Sequence, residues 1–266
     1  MANKETILSV ENLTKVFGGV VAVDNVSFSI NKGEIFAVIG PNGAGKTTLF
    51  NMITGVLPSS SGNVYFQGKS LTRKKPYQIA QAGVTRTFQN LEVFDNMTVI
   101  ENVMTGAHIT MKTNILTAGL RLPGVVKEEV SVMERALQCL KDVGIAEFAY
   151  EMSDKLPYGS QRLLEIARAA ISKPQLILLD EPMAGLNAEE SRQLVDVILK
   201  MRADGMTFLF VEHDMETVMS ISDRLVVVDN GVKIGEGTPE EIYQNPQVVA
   251  AYLGDDEDEE EGVAYA

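Results

Sequence analysis

Gly40-Pro41-Asn42-Gly43-Ala44-Gly45-Lys46-Thr47 carries the spacing Gly-x-x-x-x-Gly-Lys-Thr, in which small residues let several backbone N–H groups converge on a polyphosphate. An unbroken apolar run, Ile35 to Ile39, precedes it, and a helix-compatible stretch ending near Gly55 follows, so the helix would point its positive end at the phosphates. In that setting Lys46 faces the β- and γ-phosphates and Thr47 faces Mg2+, with Thr48 next in the same binding set. The plain alternative is a Gly-rich turn with no ligand. Further along, Leu176-Ile177-Leu178-Leu179-Asp180-Glu181 reads as a buried strand delivering two carboxylates at its C-terminal end. Asp180 suits a role holding Mg2+ through its water shell, and Glu181, one residue on, can accept a proton from water attacking the γ-phosphate. A polar strand end that merely caps is the alternative there. Gln89, at the end of Val84-Thr85-Arg86-Thr87-Phe88, and His213, just after the apolar run 208–211, complete the constellation. Each alone is an ordinary loop residue. If their strands are neighbours in a parallel sheet, both reach a γ-phosphate held by Lys46, because ligands bind at the C-terminal crevice of such a sheet. An imidazole donating to a γ-phosphate oxygen would stabilise the transferring charge.

The elements that must position these groups are visible as changes of periodicity. Val26, Phe28 and Ile30 alternate with Ser27 and Ser29, and Asn31-Lys32-Gly33 turns the chain into the Ile35 run. Val64-Tyr65-Phe66-Gln67-Gly68-Lys69 reads as a further strand with its turn, so the region before residue 70 is expected to add a small, partly antiparallel sheet around the phosphate loop. In residues 128–143 the apolar positions Val130, Met133, Ala136, Leu137, Leu140 and Val143 fall at helical spacing. The runs 176–179, 208–211 and 225–228, separated by helical patterns, are what buried parallel strands require. Asn230-Gly231 between two short apolar runs predicts a hairpin. No internal repeat and no long linker interrupts the chain.

At 266 residues, 45% hydrophobic and 22% charged, the chain can bury one substantial core and a smaller lobe. No apolar stretch is long enough to span a bilayer, the start lacks the apolar segment of a signal peptide, and Cys139 is the single cysteine, so a reducing cytoplasm is expected. Cys139 and the methionines read as packing. The net charge is −13, of which the acidic run 255–261 supplies seven, leaving six on the rest. Such a chain is a poor nucleic-acid binder, and no nucleic-acid partner is expected. The acidic end reads as a solvated, disordered tail, with docking to a basic partner as the alternative.

With these residues in hand, the chain resembles the ATP-binding subunits of ABC transporters over residues 8–253. The resemblance rests on the phosphate loop, Gln89, the Asp180-Glu181 pair, His213 and, most diagnostic, Leu156-Pro157-Tyr158-Gly159-Ser160-Gln161 before a helical Leu163-Leu164-Glu165-Ile166-Ala167-Arg168-Ala169-Ala170. It implies a P-loop NTPase (RecA-like) α/β core with an antiparallel β subdomain and an inserted α-helical subdomain at about residues 90–170, in one ATPase domain over 1–254 with the tail 255–266 outside it. It also implies that Pro157, Tyr158, Gly159, Ser160 and Gln161 complete the ATP site of an opposite subunit, two chains sandwiching two nucleotides head to tail. Gln89 joins Thr47 and Asp180 around Mg2+. Phe17, 23 residues before Gly40, falls where the family places an aromatic that stacks on adenine; core packing is the alternative.

Two departures stand out. Where the usual signature begins Leu-Ser-Gly-Gly, Pro157 and Tyr158 replace the serine and first glycine, removing a hydroxyl and a backbone N–H, so hydrolysis at that composite site would be slower. Asn187, in Ala184-Gly185-Leu186-Asn187, stands where many relatives carry an aspartate that bridges the dimer. Both changes, with Arg86-Thr87-Phe88-Gln89-Asn90, Met97-Thr98-Val99-Ile100-Glu101-Asn102-Val103 and a longer helical-lobe insertion at 107–126, resemble the subgroup serving branched-chain amino-acid importers. The resemblance implies ATP and Mg2+ as cofactors, membrane-spanning permease subunits, a second ATPase subunit (a copy or a related chain) and, indirectly, an external substrate-binding protein as partners, and a peripheral place on the cytoplasmic face of the membrane. Leu91, Val93 and Phe94 would form the grip on the permease, or else fold into the lobe's own core. The alternatives are a soluble ABC-type ATPase uncoupled from transport, which normally shows a coiled-coil insertion, a second nucleotide domain or a basic surface, and a nucleotide-gated module without turnover, against which Glu181 and His213 argue.

Overall fold

The structure, a computed structural model, describes residues 5–87, 92–111, 123–212 and 215–252. Among these residues, β1 (Thr6–Phe17), β2 (Val20–Asn31), β4 (Ser61–Phe66) and β5 (Lys69–Ser70) form an antiparallel sheet in the order β2-β1-β4-β5. A second sheet runs β10-β9-β3-β8-β7-β6, built from β3 (Ile35–Ile39), β6 (Val84–Arg86), β7 (Leu176–Asp180), β8 (Thr207–Val211), β9 (Arg224–Asp229) and β10 (Val232–Gly237). Its neighbours pair in parallel except β10, which returns antiparallel on β9. Asn230 (φ +46°) and Gly231 (φ +80°) make that return, the two positive φ values that a two-residue hairpin of this hand needs.

The parallel strands read as unbroken apolar runs because both faces are covered. Ile35, Ala37, Ile39, Ile177, Leu179, Phe208, Phe210, Leu225 and Val227 belong to one buried cluster. Their alternates Phe36, Val38, Leu176, Leu178, Leu209, Val211, Val226 and Val228 belong to the other, with the inner faces of β1, β2 and β4 and with α1 (Lys46–Ile53). Each large side chain so buried contributes roughly 1.5–3 kcal/mol. The first face packs against α3 (Val99–Gly106), α4 (Pro123–Val143) and α5 (Tyr158–Ala170), which also pack on one another. α2 (Pro76–Gln81), α6 (Ala188–Ala203), α7 (Met215–Ile221) and α8 (Pro239–Tyr243) complete the described α-helices.

Two expectations need correction. In α4 the buried stripe is Val125, Val132, Ala136, Leu140 and Val143, whereas Val130 and Met133 are 52% and 40% exposed. Val130, Val132 and Met133 crowd two helical faces, and the face continuous with Val125, one heptad upstream, wins. Nor are the strands leading to Gln89 and His213 neighbours: β7 lies between β6 and β8, so the carboxylate pair sits between them. Among the described residues no helix is long and apolar enough to cross a membrane. The tail 255–266 and much of the insertion 107–126 lie outside the described residues.

Candidate active site

β3 runs straight into the loop of Gly40, Pro41, Asn42, Gly43, Ala44 and Gly45, and the first α1 residue is Lys46. Glycine is required at two of these positions by close approach as well as by backbone shape. A Cβ on Gly40 (φ +153°) would lie 1.9 Å from the Val228 carbonyl oxygen, and one on Gly45 (φ +99°) 2.5 Å from that of Ala22. The loop is therefore pressed against β9 on one side and β2 on the other. Gly45 caps α1 without any side-chain acceptor, so the first-turn N–H groups of Lys46, Thr47 and Thr48 suit an anion. Lys46 is 6% exposed, and its ammonium donates to the carbonyl oxygens of Gly40 (2.6 Å) and Pro41 (2.8 Å), which holds the cation inside the loop.

Asp180 ends β7, 1% exposed, with Oδ2 2.5 Å from Arg86 Nη2. Its other oxygen, Oδ1, is buried with no hydrogen-bond partner among the described residues. A buried carboxylate oxygen without a donor is costly, and a water of a hydrated cation would satisfy it, so Asp180 and Thr47 fit Mg2+. Glu181, the next residue, takes φ +48°, a left-handed conformation that costs a non-glycine residue about 1–2 kcal/mol. Backbone pairing holds it there: its N–H donates to the Val211 carbonyl of β8 (2.9 Å), and its carbonyl accepts from Ala184 (3.1 Å). The regular strand geometry thus ends between the two carboxylates. Glu212, passed over in the sequence, is 4% exposed and accepts the Met183 N–H at 2.7 Å, tying the residue before His213 to the turn after Glu181. Gln89 and His213 lie outside the described residues, as does Leu91.

Phe17 closes β1 and is 46% exposed, so core packing does not account for it; Lys15 Nζ stands 4.9 Å from the ring centroid while donating to the Pro58 carbonyl. Pro157 is the N-cap of α5, again with no side-chain acceptor. Tyr158 donates its hydroxyl to the Ala184 carbonyl (3.3 Å), Gln161 Nε2 donates to the Leu156 carbonyl (3.0 Å), and Ser160 is half-buried between them. A Cβ on Gly159 would sit 2.8 Å from the Glu190 carboxyl group. The described contacts of this loop are thus with its own helix and with the segment following Glu181, rather than with the phosphate loop of the same chain. Asn187 N-caps α6, its Oδ1 accepting from Glu189 and Glu190 N–H groups at 2.9 and 3.0 Å.

Beyond the Gln89 segment, buried Asn102 holds Phe94 by both backbone groups, accepting its N–H at 2.9 Å and donating to its carbonyl at 3.1 Å. Val93 packs on the core, but Phe94 is 50% exposed, with the Arg168 guanidinium 5.6 Å from its ring. It borders a cleft of about 490 Å³ that Tyr77, Ile109, Glu165 and Arg168 also line. Burial pushes the Glu165 carboxyl up, against the opposing pull of the Glu92 N–H and of Arg162 and Arg168, and burial lowers the Arg168 guanidinium. Burial likewise pushes the Cys139 thiol up to about 11, in keeping with a packing role.

The sequence matches the ABC transporter family over residues 23–184 and a branched-chain amino acid ATP-binding cassette transporter family over residues 232–258. It is 42% identical over 250 residues to the high-affinity branched-chain amino acid transport ATP-binding protein BraF of Pseudomonas aeruginosa, covering 94% of this chain and 98% of BraF. Its identity to the corresponding LivG of Escherichia coli is also 42%, over 252 residues, covering 94% and 99% of the two chains. A crystal structure of an ATP-binding cassette of an ABC transporter in its ADP conformation superposes with a TM-score of 0.82 at 36% identity, covering 94% of this chain and 99% of that one. By family match, by identity along nearly the whole chain and by fold, the chain belongs to the ABC transporter family, as an ATP-binding subunit whose ATP hydrolysis is coupled to transport.

Proposed function

We propose that this chain energises uptake of branched-chain amino acids, docked as a peripheral subunit on the cytoplasmic face of the membrane against permease subunits, beside a second ATPase subunit. The similarity to the branched-chain amino acid transport proteins BraF and LivG and the family match over residues 232–258 support the cargo. A substrate-binding protein would reach the same assembly only indirectly. One ATPase domain spans 1–254, residues 90–170 forming the lobe that meets the permease.

In this reading Phe17 stacks on adenine, and the loop from Gly40 to Gly45, with Lys46, Thr47 and Thr48, cradles the phosphates. Thr47, Gln89 and Asp180 hold Mg2+, which when bound neutralises charge on the β- and γ-phosphate oxygens. Glu181 accepts the proton of the attacking water, and His213 and Gln89 orient around the γ-phosphate. Pro157, Tyr158, Gly159, Ser160 and Gln161 of one chain close on the nucleotide of the facing chain, so ATP joins the pair and hydrolysis releases it. Where the serine hydroxyl is missing, the first-turn N–H groups of α5 remain to face the phosphates.

The observation that carries the reading is the pair Asp180–Glu181, one acid locked to Arg86 and the next turned out of the strand in a left-handed conformation. Glu181→Gln should keep ATP binding, hold a stable ATP-dependent pair and lose at least about 100-fold in turnover. Hydrolysis at the wild-type rate would remove Glu181 from its role.

A further inference from the structure

We infer that Arg86 is a positioning residue for the Mg2+ site, a strut that sets the Asp180 carboxylate relative to the helix carrying Lys46 and Thr47. The inference rests on the reading of Asp180 as the carboxylate facing Mg2+.

Three observations converge on Arg86. First, it is 12% exposed and sits at the end of β6, the edge strand, where its Nη2 lies 2.5 Å from Oδ2 of an Asp180 that is 1% exposed. A carboxylate that deep needs a partner to offset its desolvation, and breaking such a buried pair by removing one member is strongly unfavourable. Second, Nη1 of the same guanidinium donates to Asn51 Oδ1 (2.6 Å) and to Thr54 Oγ1 (3.3 Å), on and just after the last turn of α1, while Cζ lies 5.8 Å from the Phe50 ring centroid. The planar fork therefore spans two elements that nothing in the phosphate-loop motif connects: the strand end bearing the metal-facing carboxylate and the helix whose first turn bears Thr47. Third, Arg86 occupies only one oxygen of Asp180. Oδ1 is left buried without a hydrogen-bond partner among the described residues.

The division of the carboxylate follows from the chemistry. An outer-shell donor that saturates one oxygen fixes the rotation of the group and leaves the other oxygen for the ion's water shell. Lysine cannot replace this. An ammonium can reach Asp180 or Asn51, but it lacks the rigid fork that ties one to the other. Arg86 also stands two residues beyond the first residue of β6 and three before Gln89, so a single short strand carries the strut and leads to the next candidate metal residue.

The test is a Mg2+ titration of trinitrophenyl-ATP binding to the full-length chain, with Mn2+ binding followed by electron paramagnetic resonance. Arg86→Met should raise the Mg2+ needed for half-maximal binding about 10- to 100-fold. Nucleotide binding in EDTA should stay within about twofold, and Arg86→Lys should fall between wild type and Met. Asn51→Ala keeps the buried ion pair but removes the shorter of the two ties toward α1, leaving the 3.3 Å bond to Thr54, and should raise the requirement about threefold, with a broadened Mn2+ spectrum. A folded Arg86→Met with the wild-type Mg2+ requirement, or one that loses nucleotide equally with and without Mg2+, overturns the inference. If Arg86→Met does not fold, Asn51→Ala decides: an unchanged requirement overturns the strut. Asp180→Asn separates the underlying reading. If it raises the requirement and the Arg86 variants do not, the strut alone fails; if it changes nothing, the Mg2+ assignment of Asp180 fails.

Discussion

The ring of Tyr158 fills the space beside Gly185: a Cβ at Gly185 would come within 3.1–3.3 Å of three phenol atoms, and the Tyr158 hydroxyl donates to the carbonyl of Ala184, one residue earlier. The tyrosine that stands in place of a signature glycine thus braces the turn between Glu181 and α6. The start of the α5 helix and the segment after the carboxylate pair are one packed unit within a single chain.

That unit makes Gly185→Ala informative. Gly185 has φ +78°, so a methyl meets both backbone strain and the Tyr158 ring, and the variant should lose about 2 kcal/mol of stability. Tyr158→Phe removes only the hydroxyl of a half-exposed ring and should cost about 0.5–1 kcal/mol. Tyr158→Ala combined with Gly185→Ala should cost less than the sum of the two single changes, because the ring that the methyl strikes has gone. Urea unfolding curves of the variants give these values; strict additivity would show that the two residues do not press on each other.

Glu165 gives a dependence on pH. Burial raises its carboxyl above the ordinary value of 4.5, so the folded state holds a proton that the unfolded chain releases. The stability that this group contributes is then complete below pH 4.5 and is lost as pH climbs through the raised folded value. Relative to Glu165→Gln, which does not titrate, the wild type should lose stability as pH rises from 4.5. Urea unfolding of both proteins across that range checks the sign, and a wild type that gains on the glutamine variant with rising pH would contradict it.

Phe94 is presented at the surface by Asn102 rather than by the core. Phe94→Asp should leave nucleotide affinity within about twofold, since Asn102 holds residue 94 through backbone groups that the substitution keeps. It should still weaken co-purification with the permease subunits severalfold. Unchanged co-purification would count against the cleft as the docking groove.

Legibility in the sequence followed the physics of each element. Runs 176–179, 208–211 and 225–228 were readable as parallel strands because helices on one side and an antiparallel sheet on the other demand apolar residues at every position. The glycines of the phosphate loop were readable because backbone of β9 and β2 touches two of them. Asn230-Gly231 was readable because few other residue pairs accept two positive φ values. The buried face of α4 was not, since Val130, Val132 and Met133 offer competing faces that only the packing partner resolves. Strand order was not either: which strand lies between β6 and β8 depends on crossovers, which leave no local pattern. The roles of Arg86 and Glu212 were not legible for a related reason, because a charged residue at the end of a short strand shows its role only once its partner 94 or 29 residues away is brought against it.

The central claim is that ATP closes the signature loop of one chain onto the phosphate loop of another. The direct measurement is photo-crosslinking from Ser160→Cys, in a Cys139→Ser background and in native membranes, with a short thiol-attached photoprobe and peptide mapping by mass spectrometry. Saturating ATP with Glu181→Gln should direct the crosslink to the phosphate loop of a facing ATP-binding chain, at residues 40–48 of a second copy or the matching loop of a related subunit, and ATP removal should abolish it. Crosslinks confined to the probe's own chain, or unchanged by nucleotide, would contradict the account.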